Sequence, residues 1–241
     1  MKETILVANR GEIAVRIMRA AKEMGFRTAA VFSEADRDSM HVKIADKAVC
    51  LGPAAAKDSY LNIPALMSAA EIVNATFIHP GYGFLSENER FVRIVDKCGF
   101  QFIGPKAEHI LLLGDKLESK KAMAKEGIPL VPGSQTAVES ADEAIVIASD
   151  IGFPVLLKAS AGGGGRGMKL VHNEDELRKA FETSRSEALA AFGNGSIFIE
   201  KFVSNPHHVE FQVIGDNHGN VFHLGERECS VQRRHQKIIE E

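Results

Sequence analysis

Strand-like and helical segments alternate along the first 113 residues, and this alternation limits the possible folds more than any other feature. Helical patterns separate several short apolar runs, which predict strands at residues 5–8, 28–32, 48–51, 76–78 and 100–103. Such an alternation is typical of a parallel, doubly wound sheet whose ligands bind beyond the carboxyl ends of its strands. We therefore predict an α/β fold with a doubly wound N-terminal domain at 1–113. The turns at 9–12 and 79–83 lie on its ligand-binding edge.

Polar residues that commonly begin helices precede three of the predicted helices. Asn62 is followed by Pro64, and Asn173 is followed by Glu176. Ser86 with Glu89 three positions later has the spacing of a capping box. These residues predict where the three helices begin.

A glycine-rich run, KASAGGGGRGM at 158–168, joins two short strand candidates. Consecutive glycines can adopt positive φ and bring several N–H groups close to an anion, while Lys158 and Arg166 add positive charge. A strand follows the run, whereas a P-loop or a dinucleotide fingerprint requires a helix there. We predict a hairpin loop that covers a polyphosphate, although a hairpin without a ligand would have a similar sequence.

A second unit follows the doubly wound domain. A linker helix is predicted within 114–130, and a small α+β lid subdomain with the glycine loop is predicted at 131–203. From residue 204 the pattern changes to alternating strands with a turn at 216–220, the start of a further sheet domain at 204–241. The chain stops soon after this sheet begins, and we expect it to be a fragment of something larger.

Three groups of residues are candidates for ligand binding. Lys116 and Lys158 could each bind phosphate, or could be ordinary surface lysines. Residues 200–203 could offer backbone groups to a purine, or could form a hinge. The cluster at 229–237, which includes Gln232 and Lys237, is dense in donors for small anions, and a solvated basic face would look similar.

Composition excludes several function classes. The formal net charge of −3 gives no general attraction to nucleic acid or to an anionic membrane surface. Three widely spaced cysteines show no metal-binding spacing, and reduced thiols in a cytoplasmic protein are expected. No signal peptide and no membrane-spanning run is found in the sequence. Together with the negative net charge, this means that neither a membrane nor a nucleic acid is an expected partner.

Five long motifs occur in an order that resembles the biotin carboxylase component of biotin-dependent carboxylases. They are ANRGEIAVRI at 8–17, HPGYGFLSEN at 79–88, FIGP at 102–105, KASAGGGGRGM at 158–168 and ERECSVQRRHQK at 226–237. The likeness covers essentially the whole chain and is greatest to the free-standing subunit of bacterial acetyl-CoA carboxylase. It implies an ATP-grasp fold, in which ATP lies between a glycine-loop lid and a larger sheet domain.

The resemblance also implies the reaction and the residues that take part in it. Bicarbonate attacks the γ-phosphate of ATP, and the resulting carboxyphosphate carboxylates biotin on a biotin carboxyl carrier protein. Lys237, His235 and Gln236 are the implied catalytic residues, of which Lys237 and Gln236 bind bicarbonate. Tyr82 and Gly83 flank the biotin pocket. The implied ATP site comprises Lys116, Lys158, Gly164, Gly165, Glu200, Lys201, Phe202, Val203, His208, Gln232 and His235.

The resemblance further implies a homodimer as the full-length protein and Mg²⁺ beside ATP. Members of the family continue for roughly another 200 residues, about the size of a second domain. That segment carries the glutamates that bind Mg²⁺, the general base and the arginines for bicarbonate and biotin, so no metal ligand is expected in this chain. Alternatives are the equivalent module of a pyruvate, propionyl-CoA or urea carboxylase, and a nucleotide-binding fragment without catalytic activity.

Assayed alone, the 241-residue chain is expected not to carboxylate biotin, because the implied magnesium ligands and general base lie outside it. Each such group commonly contributes orders of magnitude in rate. ADP release with bicarbonate and free biotin, compared with a chain extended through the further domain, checks this expectation. Turnover by the short chain close to that of the long one would contradict it.

Overall fold

The computed structural model describes residues 2–114, 116–159, 168–233 and 236–241, without the side chains of Lys116, Leu117, Phe192 and Gln236. The chain forms two compact units that meet in sequence between Ser119 and Lys120. The predicted boundaries near 113, 130 and 203 remain predictions. Among the described residues, no helix combines the length and the apolar character needed to cross a bilayer.

The first unit is built on a five-stranded parallel sheet in the order β3-β2-β1-β4-β5. Its strands are β1 (Thr4–Val7), β2 (Arg27–Ser33), β3 (Lys47–Gly52), β4 (Phe77–His79) and β5 (Gln101–Phe102). The order reverses direction between β1 and β4, which makes their carboxyl ends the switch point where such sheets bind ligands. This topology confirms the predicted doubly wound fold.

Helices cover the sheet of the first unit. They are α1 (Gly11–Glu23), α2 (Met40–Ile44), α3 (Ile63–Val73), α4 (Glu89–Lys97) and α5 (Ala107–Gly114). Helix α6 (Lys116–Lys125) follows and spans the boundary between the units in the sequence. Every residue of β1 is buried, because apolar side chains pack on both faces of the central strand. Leu6 belongs to one core cluster, whereas Ile5 and Val7 belong to the cluster on the opposite face.

Two of the three predicted helix caps are confirmed, and one is wrong. Asn62 accepts the N–H of Ala65 at the start of α3, as predicted. The predicted capping box at Ser86 is wrong because Asn88 is the cap of α4 and accepts the N–H of Phe91 at 2.9 Å. Asn88 directly precedes the first helical residue, and its short carbonyl side chain caps a helix as well as serine does.

The second unit contains a three-stranded antiparallel sheet in the order β7-β6-β8 with two helices packed on it. The elements are α7 (Ala141–Ile151), β6 (Val155–Ala159), β7 (Met168–Val171), α8 (Glu174–Phe192) and β8 (Ile197–Lys201). The predicted cap Asn173 accepts the N–H of Glu176 at 3.0 Å and is confirmed. Strands β6 and β7 form the predicted antiparallel hairpin, whose glycine run at 160–167 lies outside the described residues.

The last forty residues form two small antiparallel sheets. One pairs β9 (Val209–Gly215) with β10 (Val221–Glu228), and the other pairs β11 (Gln232–Arg233) with β12 (Gln236–Lys237). Asp216 closes the predicted turn, since its carboxylate accepts the N–H groups of His218 and Asn220. The predicted change to a strand-rich pattern after residue 204 is confirmed.

Tyr60 is fully buried in the first unit and links three elements near the carboxyl end of β2. Its hydroxyl donates to Asp36 at 2.7 Å and accepts the N–H of Ser33 at 3.0 Å, and its ring stacks on Phe84. Burial and the hydrogen bond to the carboxylate raise the pKa of Tyr60 to about 12. The hydroxyl is therefore neutral and a permanent donor at ordinary pH.

Tyr60→Phe is expected to lower the free energy of unfolding by about 1–3 kcal/mol, because it leaves the buried N–H of Ser33 without a partner. Urea-induced unfolding measures the change. Tyr82→Phe is the matched control, since that side chain is 62% exposed and should change stability by less than about 0.5 kcal/mol. Equal effects of the two substitutions would contradict the role given to Tyr60.

Candidate functional site

The two faces of the β7-β6-β8 sheet differ in what covers them. Val155, Leu157 and Ala159 of β6 point into the core beneath α7 and α8 and are almost fully buried. Side chains alternate along a strand, so the residues between them lie on the opposite face. Lys158 is opposite Phe198, and Leu156 is opposite Glu200, so Lys158 and Glu200 are diagonal neighbours on that face.

Glu200 receives two ammonium groups. Lys158 donates to Oε2 of its carboxylate, and Lys120 of α6 donates to Oε1. The Glu200 side chain is 15% exposed, and the two lysine side chains are about twice as exposed. Burial by itself raises the pKa of Glu200, but the hydrogen bonds from Lys120 and Lys158 outweigh it and hold that pKa below its ordinary value. The cluster therefore carries two cations and one anion, a net positive charge.

Apolar side chains of the hairpin lie on the same face as this charge cluster. Met168 is opposite Lys158 and Leu170 is opposite Leu156 in the pairing of β6 with β7. Met168 and Leu170 are 37% and 41% exposed, although strand residues of this type are usually covered. An exposed apolar strip beside two lysines suits a ligand with one flat apolar part and one anionic part.

Residues 200–203 have few backbone groups left for a ligand. The N–H of Lys201 donates to Pro132 at 2.8 Å, and the N–H of Phe202 donates to Pro154 at 3.1 Å. The ammonium of Lys201 is also engaged, since it donates to the carbonyl oxygens of residues 152 and 153. Within the described residues, the amide and carbonyl of half-exposed Val203 have no backbone partner. Val203 is thus the residue of this segment best placed to donate to a planar ligand.

A second charge cluster surrounds Glu210 of β9. Arg227 lies directly opposite on β10 and donates its Nε to the Glu210 carboxylate at 2.8 Å, while Lys237 donates to the other carboxylate oxygen. These two hydrogen bonds lower the pKa of Glu210 to about 2. The same contact raises the pKa of Lys237. Lys237 is therefore cationic, and its ammonium is bound to Glu210.

His208 and Gln232 contact each other beside this second cluster. Gln232 Nε2 lies 3.0 Å from His208 Nδ1, and His208 Nε2 lies 3.9 Å from the Glu210 carboxylate. The backbone N–H of His208 donates to Ser230 at 2.7 Å. These contacts place His208, Gln232 and Lys237, three of the predicted site residues, around one carboxylate.

A possible metal group in the described residues does not suit Mg²⁺. Glu210, Cys229 and Glu240 offer ligand atoms within 4.8 Å of one another. However, Glu210 already binds two cationic side chains, and Cys229 is a buried thiol. Mg²⁺ prefers oxygen ligands in an octahedral arrangement, so this group does not provide its site.

The carboxyl ends of β1 and β4 form a polar edge in the first unit. Asn9 follows β1, and its amide donates to the carbonyl oxygens of Pro80 at 2.8 Å and of Tyr82 at 2.7 Å. Gly81 has a φ of +66°, and a Cβ there would lie 2.8 Å from the Asn9 amide nitrogen, so only glycine fits. A cavity of about 540 Å³ lies elsewhere along α1, but the cavity at this edge, about 380 Å³, is the one lined by Tyr82 and Gly83.

Some predicted site residues cannot be placed. Gly164, Gly165 and His235 lie outside the described residues, as do the side chains of Lys116 and Gln236. Lys120 and Glu210, which contact predicted site residues, were missed from the sequence, and so was Arg227, which contacts Glu210. Opposite charges at facing positions of β9 and β10 are the signal that could have revealed Glu210 and Arg227. Lys120 has no comparable signal in the sequence.

Two protein families match almost the whole chain. The family described as "Biotin carboxylase, N-terminal domain" matches residues 1–110, and "Carbamoyl-phosphate synthase L chain, ATP binding domain" matches residues 115–241. The biotin carboxylase of Pseudomonas aeruginosa is 55% identical over 242 aligned residues, which cover 100% of this chain and 54% of the relative. The biotin carboxylase of a Nostoc species is 56% identical over 239, covering 99% of this chain and 54% of the relative.

The chain belongs to the biotin carboxylase family. This confirms the resemblance drawn from the five motifs. The chain spans about half the length of the curated relatives it matches.

Solved structures agree with this assignment. A biotin carboxylase from Campylobacter jejuni, described as a complex with β,γ-ATP, has a TM-score of 0.91 at 53% identity; the match covers 100% of this chain and 54% of that one. The biotin carboxylase domain dimer of Hydrogenobacter thermophilus 2-oxoglutarate carboxylase, described with MgADP, ADP and bicarbonate, has a TM-score of 0.88 at 51% identity, covering 100% and 53%. The predicted combination of a doubly wound domain and antiparallel ATP-grasp sheets is thereby confirmed.

Glu210→Gln is expected to return the pKa of Lys237 towards its ordinary value, since the hydrogen bond that stabilises the ammonium is lost. The ¹³Cε chemical shift of Lys237, followed as pH rises, measures this pKa. Glu228→Gln is the control, because Glu228 contacts Ser230 and His207 rather than Lys237. An unchanged pKa of Lys237 in Glu210→Gln would show that the pair does not exist.

Proposed function

We propose that this chain contributes the nucleotide-binding part of a biotin carboxylase, which uses ATP and bicarbonate to carboxylate biotin by way of carboxyphosphate. The observation that carries the proposal is the sheet face where Lys158 and Lys120 meet Glu200 beside exposed Met168 and Leu170. This face provides the Lys158 ammonium for a polyphosphate next to an apolar surface for a base. The similar biotin carboxylases described above support the same function.

In this proposal the phosphates of ATP lie along β6 and the glycine run that follows it. Lys158 binds phosphate oxygens, and the N–H groups of Gly164 and Gly165 cover them. Lys116 is a second phosphate ligand. The lysines offset the negative charge on the γ-phosphoryl group during its transfer.

The adenine is received by the segment from Glu200 to Val203. The N–H groups of Lys201 and Phe202 already donate to the protein, so the amide of Val203, a half-exposed residue, is the donor that we assign to the base. Carbonyl groups of the same segment accept from the exocyclic amine. His208 reaches the ribose and keeps its contact with Gln232.

Bicarbonate binds at the second charge cluster. Lys237 is cationic, and its ammonium can exchange a contact with Glu210 for one with bicarbonate. Gln232, His235 and Gln236 add donors around the same anion and the γ-phosphate. Holding bicarbonate beside the phosphate makes the attack effectively unimolecular. Exclusion of water by the glycine loop protects carboxyphosphate from hydrolysis.

The biotin ring is assigned to the edge of the first unit, where the cavity of about 380 Å³ is lined by Tyr82 and Gly83. The biotin is attached to a carrier protein, which is the proposed partner. The whole protein is proposed to be a homodimer in the cytoplasm, and Mg²⁺ accompanies ATP. The carboxyphosphate chemistry needs that ion to neutralise phosphate charge.

Acetyl-CoA carboxylase, and hence fatty-acid synthesis, is the proposed physiological setting, in keeping with the resemblance of the five motifs to its biotin carboxylase subunit. A second candidate is the equivalent module of another biotin-dependent carboxylase. Similar solved structures include biotin carboxylase parts of a 2-oxoglutarate carboxylase and a pyruvate carboxylase. These settings are distinguished by the carboxyl acceptor, an acyl-CoA or a keto acid, that stimulates the assembled enzyme.

ATP binding to this chain tests the nucleotide site directly. Lys158→Met is expected to weaken ATP binding at least about tenfold, because a charged contact to phosphate is lost. Lys169→Met is a matched control: its side chain is equally exposed, but it contacts Glu187 on the helix-covered side of the sheet. Calorimetric titration measures both. Equal ATP affinity of the two variants would contradict the assignment of the phosphate site.

A chimera tests the catalytic role. Residues 1–241 replace the matching half of the Pseudomonas aeruginosa biotin carboxylase, and ADP release is measured with bicarbonate and free biotin. Biotin-dependent turnover is the expected result. In this chimera Lys237→Ala should abolish bicarbonate-dependent ATP cleavage and leave ATP affinity largely intact. A folded chimera that binds ATP without biotin-dependent turnover would overturn the proposed reaction, and an equal loss of ATP affinity would overturn the role of Lys237.

A further inference from the structure

Lys120 has no role in the proposed reaction, yet it shares the carboxylate of Glu200 with Lys158. Each lysine occupies a different oxygen, Oε1 for Lys120 and Oε2 for Lys158. Lys120 projects from α6, whereas Lys158 belongs to β6, so the two ammonium groups approach Glu200 from different elements. The carboxylate can therefore lose one cation and keep the other.

This arrangement matters when an anionic ligand binds Lys158. A phosphate that draws the Lys158 ammonium away from Glu200 removes one of the two hydrogen bonds to a carboxylate that is only 15% exposed. A charge in such surroundings is costly when it lacks a partner. With Lys120 still in place, Glu200 remains paired through Oε1. Without Lys120, the release of Lys158 would leave the carboxylate unpaired beside a second anion.

We propose that Lys120 is a positioning residue for nucleotide binding. Because Lys120 keeps its contact with the Glu200 carboxylate, the Lys158 ammonium can leave that carboxylate and bind a phosphate. The inference rests on the proposed nucleotide site. It assigns Lys120 no contact with ATP. It also predicts that ATP binding no longer needs Lys120 when Glu200 is replaced by glutamine, because the neutral amide carries no charge that must be paired.

Binding of ATP and of adenosine to the 241-residue chain tests the proposal. Calorimetry gives the ATP affinity, and ligand-observed NMR at millimolar concentration gives the adenosine affinity. Lys120→Met should bind ATP at least about tenfold more weakly, since the largely buried Glu200 carboxylate has lost one of its two partners. Its adenosine affinity should be unchanged, because adenosine does not compete for Lys158. Lys120→Arg should restore ATP binding, and so should Lys120→Met combined with Glu200→Gln.

Lys125→Met is the control for the loss of one positive charge from α6, and it should bind ATP like the unaltered chain. Lys120→Gln provides the same comparison if Lys120→Met does not fold. An ATP affinity unchanged by loss of Lys120, or one that Glu200→Gln does not restore, would overturn the positioning role. An unaltered chain that binds no ATP would instead overturn the proposed nucleotide site, and this inference with it.

Discussion

Side chains of β6 and β8 alternate between a face packed under α7 and α8 and a face that bears Lys158 and Glu200. The alternation follows from the pleat of the strands, so the core residues on one face fix the positions of the charged residues on the other. A shift of one residue in the pairing would bury the charges and expose the core, so the pairing register is strongly determined. The charged residues are thereby attached to a sheet whose other face is packed in the core of the second unit.

In the first unit, core residues and exposed polar groups occupy different parts of each strand. Its central strand is buried on both faces, so polar groups can be presented only where the strands end. Asn9 joins the ends of β1 and β4 by donating to Pro80 and Tyr82, and the close approach of Gly81 is what makes these contacts possible. The wall of the cavity beside Tyr82 is therefore tied to the end of β1 through the Asn9 side chain.

Local patterns in the sequence were sufficient to predict most of the strands and the order of the domains. Apolar periodicity, and glycines at the ends of helices and strands, depend on neighbouring residues only. The helix α5 was not predicted, since its run of leucines lacks a clear polar face. Asn88 was missed as a cap because Ser86 offered an equally reasonable local choice. Such errors arise where two local signals compete within a few residues.

The candidate site was predicted less completely than the fold. Lys158 and Lys237 stand beside recognisable motifs, whereas Lys120 lies eighty residues from the carboxylate that it contacts. Pairs of this kind depend on the tertiary fold and leave no periodicity in the sequence. The Glu210–Arg227 pair depends on the register of β9 with β10, which became clear only from the structure. Family resemblance supplied roles for single residues, including Glu200, but not the ion pairs that Glu200 and Glu210 form with the lysines.

The most direct test of the account is a crystal structure of the chain with a non-hydrolysable ATP analogue. The account predicts that the Lys158 ammonium lies within hydrogen-bonding distance of a phosphate oxygen, while Lys120 still contacts Glu200. It also predicts that the base lies near the Val203 amide. A nucleotide bound elsewhere, or a Lys158 that remains on Glu200 while the phosphates contact other residues, would contradict it.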